Sequence, residues 1–400
     1  MSTFAAYRSW LVAEAATGFG AATLAGKLLA DLGCTVARLE AAEEGAADAT
    51  DVDRELFELL ARAKHSVRIG FDRRGARAAL EALLAHAEIL LVDRDGLARV
   101  RAALGAEDLG ARFPRLTVCA CTPFGLTGPM AGWIGGEEIV QAVSGIMSIT
   151  GHAGGGATRI AGAPLTHAAA MFAVSSSLAD VLRKRAGGAP GMLDVSVYDA
   201  AVAFESASLP AYFLTGAAPA GIGNRHSMSA PWNSFRCADG WVIVCGGNHP
   251  NWVRLCEAIG RPELVGDPRY LTQEDRIAHV DALEAEITAW TAPRSVAVVE
   301  AAFNAAAIAA GSVMPLPDVL AHPQFRERNL LDAASGCTQI GGVFHLAKEP
   351  LAVREGAWRA GAGTRAILVD RCGVAPADYE AWREAGAVAG DREAGRAGAA

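Results

Sequence analysis

Apolar residues in the first part of the chain alternate between helical spacing and short unbroken runs. Positions spaced as on one face of a helix predict helices over residues 24–32 and 75–86. Apolar runs predict strands over residues 34–39, 89–92 and 116–121. Helices that alternate with buried strands are typical of an α/β unit with a largely parallel sheet, whose ligands bind at the carboxyl ends of the strands.

The second half of the chain has a different pattern. Residues 234–244 predict a hairpin that turns at Asp239-Gly240, with Trp241 expected in the core. Three helices are predicted after it, over residues 252–259, 280–291 and 295–307. Because Gly, Ala and Pro accumulate around residues 216–223, we predict a domain boundary there. The predicted segments are 1–216 (first part of a large α/β domain), 217–330 (a smaller α+β domain) and 331–400 (a return to the large domain and a C-terminal tail).

The composition is that of a packed globular protein, since 52% of the 400 residues are hydrophobic and 20% are charged. The net charge of −8 offers no general basic surface to a phosphate backbone, so we expect no nucleic-acid partner. The N-terminus lacks a signal-peptide pattern and no long apolar run is free of charge, so we expect a cytoplasmic protein without a membrane span. The eight cysteines lack metal-ligand spacing, so we expect reduced thiols and no metal site.

Short segments of distinctive sequence are spread over most of the chain. They include Leu-Ala-Asp-Leu-Gly at 29–33, Lys-His-Ser-Val at 64–67, Phe-Gly-Leu-Thr-Gly-Pro at 124–129, Gln-Ala-Val-Ser-Gly-Ile-Met-Ser-Ile-Thr-Gly at 141–151, Gly-Ala-Pro-Leu-Thr-His at 162–167, Asp-Val-Ser at 194–196 and Gly-Asn-Arg-His at 223–226. In number, order and spacing, these segments resemble those of the class III (CaiB/BaiF-like) CoA-transferases. The chain is similar to this family over nearly its whole length.

The resemblance implies a Rossmann-like large domain built from both chain ends, a small domain from the middle, and a dimer whose two chains interlock like links. It also implies transfer of CoA from an acyl-CoA to a small carboxylic acid, with coenzyme A and acyl-CoA as substrates and no permanently bound cofactor. In the family an aspartate attacks the thioester, which gives a mixed anhydride and then an enzyme–CoA thioester. This is nucleophilic catalysis by a carboxylate.

The nucleophile segment departs from the family pattern at one residue. When Gly162 and Pro164 are aligned with the family's glycine and proline, His167 takes the place of the catalytic aspartate. Two other segments also depart: residues 93–96 are shorter than the family's Asn-Phe-Arg-Pro-Gly, and residues 361–364 lack the Glu and His of its Gly-Glu-His-Thr. His167 is therefore either a base or acyl acceptor, or a polar residue left at a helix start.

Five other side chains are candidates for the same site. Glu137 and Glu138 stand where relatives carry a site-lining aspartate, and they either contact substrate or stabilise the dipole of a helix start. Arg38, Lys64 and Arg94 fall near positions that face the phosphates and adenine of CoA in relatives, and long basic side chains suit phosphate contact. A solvated surface position is the alternative for each of these three.

The departure at His167 leaves three hypotheses open. In the first, the chain is the aspartate-lacking subunit of a heteromeric transferase, paired with an aspartate-containing paralogue. In the second, it is a repurposed acyl-CoA isomerase, racemase or lyase that uses His167 as base with help from Glu137 or Glu138, although Gly136 stands where related racemases have their histidine. In the third, it is a non-catalytic homodimer that binds CoA esters.

Overall fold

The computed structural model describes residues 7, 9–41, 56, 60–206, 208–328, 330–332, 339–340, 343–346, 349–350 and 359–390. The chain forms two compact units: unit 1 comprises Met1–Gly145, Ile160–Leu209 and Arg326–Ala400, and unit 2 comprises Ile146–Arg159 and Pro210–Phe325. The domain segments predicted from the sequence, with boundaries after residues 216 and 330, stay a prediction. The expected C-terminal tail at 391–400 lies outside the described residues.

A mostly parallel sheet forms the centre of unit 1. Its strands include β1 Leu11–Ala15, β2 Thr35–Ala41, β3 Lys64–Ile69, β4 Ile89–Val92, β5 Thr117–Thr122 and β6 Met192–Ser196. They run parallel in the order β3-β2-β1-β4-β5-β6. The order reverses between β1 and β4, and a doubly wound sheet has its ligand crevice at such a point. The α/β class predicted from the sequence is confirmed.

The helices in this part of the chain include α1 Ala21–Asp31, α2 Ala76–His86, α3 Arg94–Leu104, α4 Leu109–Arg112, α5 Glu137–Val143, α6 Ile146–Ile149 (in unit 2), α7 Pro164–Arg185, α8 Val197–Phe204 and α9 Ser208–Thr215 (mostly in unit 2). Helix α1 begins three residues before its predicted start, because the small buried residues Ala21 and Ala22 extend it beyond the leucine pattern. Alanine favours the helix without adding a strong periodic signal.

An antiparallel sheet organises unit 2, with β7 Trp232–Arg236, β8 Trp241–Cys245 and β9 Ala309–Ser312 in that order. The predicted hairpin is confirmed, and its turn is closed by a hydrogen bond from Cys237 N to Gly240 O of 2.9 Å. Trp241 is 45% exposed, so its expected place in the core is wrong. Alternation along β8 turns Val242 and Val244 inward instead.

A separate apolar core lies among the helices of unit 2 that follow β8. These helices include α10 His249–Ala258, a 3₁₀ helix at Pro262–Gly266, α11 Gln273–Ala278, α12 Val280–Thr291, α13 Val296–Ala305, α14 Leu316–Ala321 and α15 Pro323–Glu327. Helices α14 and α15 have no buried residue, and α15 crosses the boundary with unit 1. Trp252, Leu283 and Phe303 are fully buried in this core.

The last described part of the chain returns to unit 1. Two short hairpins, β10 Leu331–Asp332 with β11 Gln339–Ile340 and β12 His345–Leu346 with β13 Glu349–Pro350, precede a π-helix at Ala366–Arg371, helix α16 Pro376–Glu384 and strand β14 Val388–Ala389. Strand β14 pairs antiparallel with the outer edge of β3. Ile367, Leu368 and Tyr379 join the same core as the apolar side chains of the central sheet.

Helix α7 has the length and composition of a membrane span, but 56% of its most apolar window is buried inside the protein. It packs against α1, α8, β5 and β6. Core helices of α/β proteins share these properties, and the contacts with the sheet place α7 among them. The expected absence of a membrane span stays a prediction.

A buried ionic cluster joins the first three strands to α1. Glu14 on β1 is fully buried, and its carboxylate accepts hydrogen bonds from the Arg38 guanidinium and the Lys64 ammonium, each at 2.7 Å. Lys64 Nζ also donates to the carbonyl oxygen of Thr23 at 2.8 Å. Burial lowers the pKa of Lys64 to about 8, while the charge of Glu14 opposes that shift. Removing one member would leave the others buried without their partner.

Gly26 on α1 leaves room for the Glu14 carboxylate because it has no side chain. A Cβ atom at Gly26 would lie 1.8 Å from Oε2 of Glu14 and 3.3 Å from Nζ of Lys64. Because two cations hold the Glu14 carboxylate in place, it has no unstrained position to which it can retreat.

The substitution Gly26→Ala should therefore lower the stability of the protein by about 1–3 kcal/mol, as overpacked cores do. Helix propensity alone would favour alanine by about 1 kcal/mol, so the sign of the change in stability distinguishes overpacking from helix propensity. Thermal denaturation measures the change. The matched control is Gly266→Ala, where a Cβ would meet nothing within 4 Å and no loss is expected. A melting temperature for Gly26→Ala at or above that of the wild type would contradict the packing argument.

Candidate active site

A cleft of about 530 Å³ lies at the carboxyl ends of β1, β4 and β5, within unit 1. The starts of α1, α3, α5, α7 and α8 contribute to its lining. The side chains that line it include Thr17, Phe19, Asp93, Arg94, Asp95, Cys121, Trp133, Ile134, Glu137, Glu138 and Thr166. This is the position in which a doubly wound sheet binds its ligand.

The start of helix α7 is held by a carboxylate from another part of the chain. Its N-cap residue is Ala163, which has no polar side chain, and Pro164 at the first helical position has no N–H. The next two N–H groups, of Leu165 and Thr166, donate to Oε1 and Oε2 of Glu137 at 3.1 and 2.8 Å. The Thr166 hydroxyl donates to the same carboxylate at 2.7 Å. Glu137 thus accepts the hydrogen bonds that a polar N-cap side chain would otherwise accept.

Gln141 extends this arrangement one turn further along α5. Its Nε2 donates to Oε1 of Glu137 at 2.9 Å and to the carbonyl oxygen of Ile160 at 3.1 Å, and its Oε1 accepts from Ile160 N at 2.8 Å. Both Gln141 and Glu137 are buried. Two side chains on one face of α5 therefore fix the chain on both sides of Gly162.

Asp93 plays a similar part at the other side of the cleft. It is the N-cap of α3, and its Oδ1 accepts from Gly96 N at 2.7 Å. Its Oδ2 accepts from the backbone N–H of Thr17 at 2.6 Å and from the Thr17 hydroxyl at 2.8 Å. The carboxylate therefore joins the loop after β1 to the start of α3, and both of its oxygens are engaged.

His167 lies exposed on the first turn of α7, beside the cleft. Its ring centroid is 6.2 Å from that of Phe19, which lines the cleft. Nδ1 is 2.7 Å from the carbonyl oxygen of Ala163. Because a carbonyl oxygen only accepts, Nδ1 carries the proton in this contact, and the lone pair of the neutral imidazole lies on Nε2. That nitrogen can accept a proton or an acyl group.

Cys121 brings a thiol to the same cleft. Its sulfur is 3.9 Å from that of Cys119, two residues earlier on β5. The hydrogen bond with Cys119 and burial raise the pKa of Cys121 well above its ordinary value. A protonated thiol is a poor nucleophile, so Cys121 is not prepared to replace a catalytic carboxylate.

The structure brings four of the six predicted site residues to this region. Glu137, Glu138 and Arg94 line the cleft, and His167 stands beside it. Glu138 and Arg94 are exposed, whereas Glu137 is buried. The roles assigned to these residues from the sequence, in catalysis and in CoA binding, stay predictions.

The other two predicted residues lie elsewhere. Arg38 and Lys64 are buried in the ionic cluster with Glu14, and neither is among the residues that line the cleft. Residues 361–364 also lie away from it: Gly361 N donates to the Ser66 hydroxyl at 2.7 Å, and Thr364 binds the β3 backbone. This placement favours a structural role for all of them, and their contact with CoA stays a prediction.

Sequence reasoning missed Asp93 and Gln141 as determinants of the site. Asp93 had a visible signal, because an aspartate directly after a short apolar strand is a typical N-cap at a strand end. Gln141 had none, since its main partner, Ile160, is 19 residues further along the chain.

Comparison with known proteins places this chain in a family. The model of CoA-transferase family III matches residues 12–364. The acetyl-CoA:oxalate CoA-transferase of Acetobacter aceti is 31% identical over 327 residues, which cover 80% of this chain and 84% of that protein. The succinate–glutarate CoA-transferase of Agrobacterium fabrum is 29% identical over 336 residues, covering 80% and 83%. The chain belongs to CoA-transferase family III, whose members use CoA thioesters as substrates.

Solved structures show the same fold. A CaiB/BaiF family protein from Brucella suis aligns with a TM-score of 0.76 at 24% identity, covering 90% of this chain and 98% of that one. A hypothetical protein from Mycobacterium tuberculosis aligns with a TM-score of 0.77 at 24% identity, covering 89% and 98%. The α/β fold expected from the resemblance is confirmed, and the interlocked dimer stays a prediction.

Replacing Glu137 should release the first turn of α7. In Glu137→Ala the N–H groups of Leu165 and Thr166 lose their acceptor, which costs about 2–3 kcal/mol for buried donors. Native-state hydrogen exchange at these two amides should then accelerate by about 100-fold. The matched control is Glu138→Ala on the exposed side of the same turn, which should leave both amides protected. Unchanged exchange in Glu137→Ala would show that the carboxylate does not hold this helix start.

Proposed function

We propose that this chain binds acyl-CoA at the cleft but does not form the family's covalent CoA intermediate by itself. It acts as the aspartate-lacking subunit of a heteromeric acyl-CoA:carboxylate CoA-transferase, in which a paralogue supplies the nucleophilic aspartate. The acceptor is a small carboxylic acid, and the expected location is the cytoplasm. The active site of this chain is accordingly degenerate at His167.

One observation carries this proposal: two carboxylates of the cleft, the buried Glu137 and the half-buried Asp93, are occupied by the protein itself. Glu137 accepts four hydrogen bonds and Asp93 accepts three, mostly from backbone N–H groups and from the hydroxyls beside them. A carboxylate that attacks a thioester needs an oxygen with an available lone pair directed at the carbonyl carbon. His167, which lies next to the cleft on the first turn of α7, has an imidazole instead of a carboxylate.

Exposed apolar side chains support a partner chain. On α7, Met171, Phe172 and Leu182 are 55, 49 and 63% exposed, and on α9 Phe213 and Leu214 are 78 and 87% exposed. Apolar surface of this extent on regular helices is typical of protein–protein interfaces. We infer that a second chain covers it, as in the interlocked dimers that the resemblance implies.

Restoring the carboxylate tests the proposal directly. When purified His167→Asp is mixed with acetyl-CoA or butyryl-CoA, we expect a covalent protein–CoA adduct, because the new aspartate can attack the thioester and then accept CoA. Intact-protein mass spectrometry measures it. The matched control is His167→Asn, which has the same shape without a nucleophilic oxygen and should give no adduct.

Wild-type chain alone should also give none. A CoA adduct on an acidic side chain of the isolated wild-type chain would overturn the proposal. Purification from the native host should recover, together with this chain, a paralogue with aspartate at the position of His167. Recovery of this chain without any other protein would favour a homodimer.

The contact between Nδ1 of His167 and the Ala163 carbonyl favours a second candidate function. It leaves Nε2 as the basic nitrogen, which is the arrangement that a proton-abstracting histidine requires. In this reading the chain is an acyl-CoA isomerase, racemase or lyase. Exchange of the α-proton of butyryl-CoA with deuterated water, present in the wild type and absent in His167→Asn, would select it over the first candidate.

A further inference from the structure

At two of the helix starts that line the cleft, N–H groups that could hold a substrate carboxylate are already bound to carboxylates of the protein. Helix starts are favourable places for anions, and the starts of α3 and α7 both face the cleft. At α7 the N–H groups of Leu165 and Thr166 are bound to Glu137, and at α3 that of Gly96 is bound to Asp93. At these two helix starts, a bound dicarboxylate would have to compete with the internal carboxylates for the same donors.

The charges along the cleft also disfavour a substrate carboxylate. The described lining residues carry four carboxylates, on Asp93, Asp95, Glu137 and Glu138, and a single guanidinium, on Arg94. Arg94 stands between two of these acids in the sequence. A cleft focuses the field of its charged walls on whatever enters it. A second negative charge on an acyl group is therefore repelled more than it is attracted.

Part of the remaining lining is apolar and exposed. Phe19, Trp133 and Ile134 are 42, 48 and 98% exposed, which leaves aromatic and aliphatic surface available on the cleft wall. The Trp133 ring is kept in place by an edge contact with Phe124, at 5.9 Å between centroids. Covering such surface with an alkyl or aryl chain is favourable in proportion to the apolar area removed from water.

From these three observations we infer that the cleft accepts CoA esters of uncharged, apolar acyl groups and discriminates against CoA esters of dicarboxylic acids. The inference rests on the proposed function, because it assumes that a CoA ester binds at this cleft. It separates this chain from the relatives named above, whose names specify oxalate, succinate and glutarate.

Binding of a matched pair of esters tests the inference. Butyryl-CoA and succinyl-CoA have the same number of acyl carbons and differ by a terminal methyl against a terminal carboxylate. Isothermal titration calorimetry of the wild-type protein should give a dissociation constant at least about tenfold lower for butyryl-CoA. Raising the salt from about 0.05 to 0.5 M should reduce this ratio, because screening weakens the repulsion.

Two variants assign the discrimination to the cleft. Ile134→Lys adds a positive charge at an exposed position, and Asp95→Asn removes a negative one, so each should lower the butyryl-to-succinyl preference by several fold. The matched controls are Val298→Lys on α13 and Asp72→Asn, both exposed and outside the cleft lining, and each should keep the wild-type ratio.

The outcomes separate the two proposals. Equal binding of both esters, or tighter binding of succinyl-CoA, would overturn the inference and leave the proposed function standing. A preference that the cleft variants do not change would also overturn it, because the discrimination would then arise elsewhere. Failure of CoA, butyryl-CoA and succinyl-CoA alike to bind would overturn the proposed function, and the inference with it.

Discussion

The Glu137 carboxylate fixes the geometry on which the cleft depends. Helix α7 begins with an alanine and a proline, neither of which can satisfy its first N–H groups, so the helix start needs an acceptor from outside. Glu137 supplies it from α5, and Gln141 holds Glu137 and Ile160 together. The position of His167 beside the cleft follows from these bonds. Glu137, a site candidate by resemblance, accepts the hydrogen bonds that hold a helix start in this chain, and its catalytic role stays a prediction.

The same principle governs the charges within the sheet. Arg38 and Lys64 are basic residues at positions suited to phosphate contact by resemblance, yet both neutralise Glu14 inside the fold. Glu14 in turn fits only because Gly26 has no side chain. In the Glu14 cluster and at the start of α7, ionisable groups that the sequence suggests as ligand contacts are bound instead to ionisable or polar groups of the protein.

Much of the fold followed from apolar periodicity, and the failures have identifiable physical causes. Strand β4 and helix α12 match their predicted ranges because their apolar runs end at clear breaks. The expected burial of Trp241 is wrong because alternation along β8 turns this side chain away from the core, although large aromatic residues usually favour burial. The pairing of Glu14 with Lys64 joins residues 50 positions apart, and that of Glu137 with Thr166 joins residues 29 apart. Local patterns carry no information about such contacts. The position of the site could therefore be predicted from the sequence, but the contacts among its side chains could not.

The C-terminal return of the chain has a consequence for its synthesis. The core of unit 1 includes Ile367, Leu368 and Tyr379, and β14 covers the outer edge of β3. While the ribosome is still translating unit 2, the six parallel strands have already emerged, with part of their core missing and one edge unpaired. An uncovered edge is a template for pairing with other chains. The nascent protein therefore passes through an interval in which the β3 edge of its sheet is exposed to other chains, and that interval ends when β14 pairs with β3.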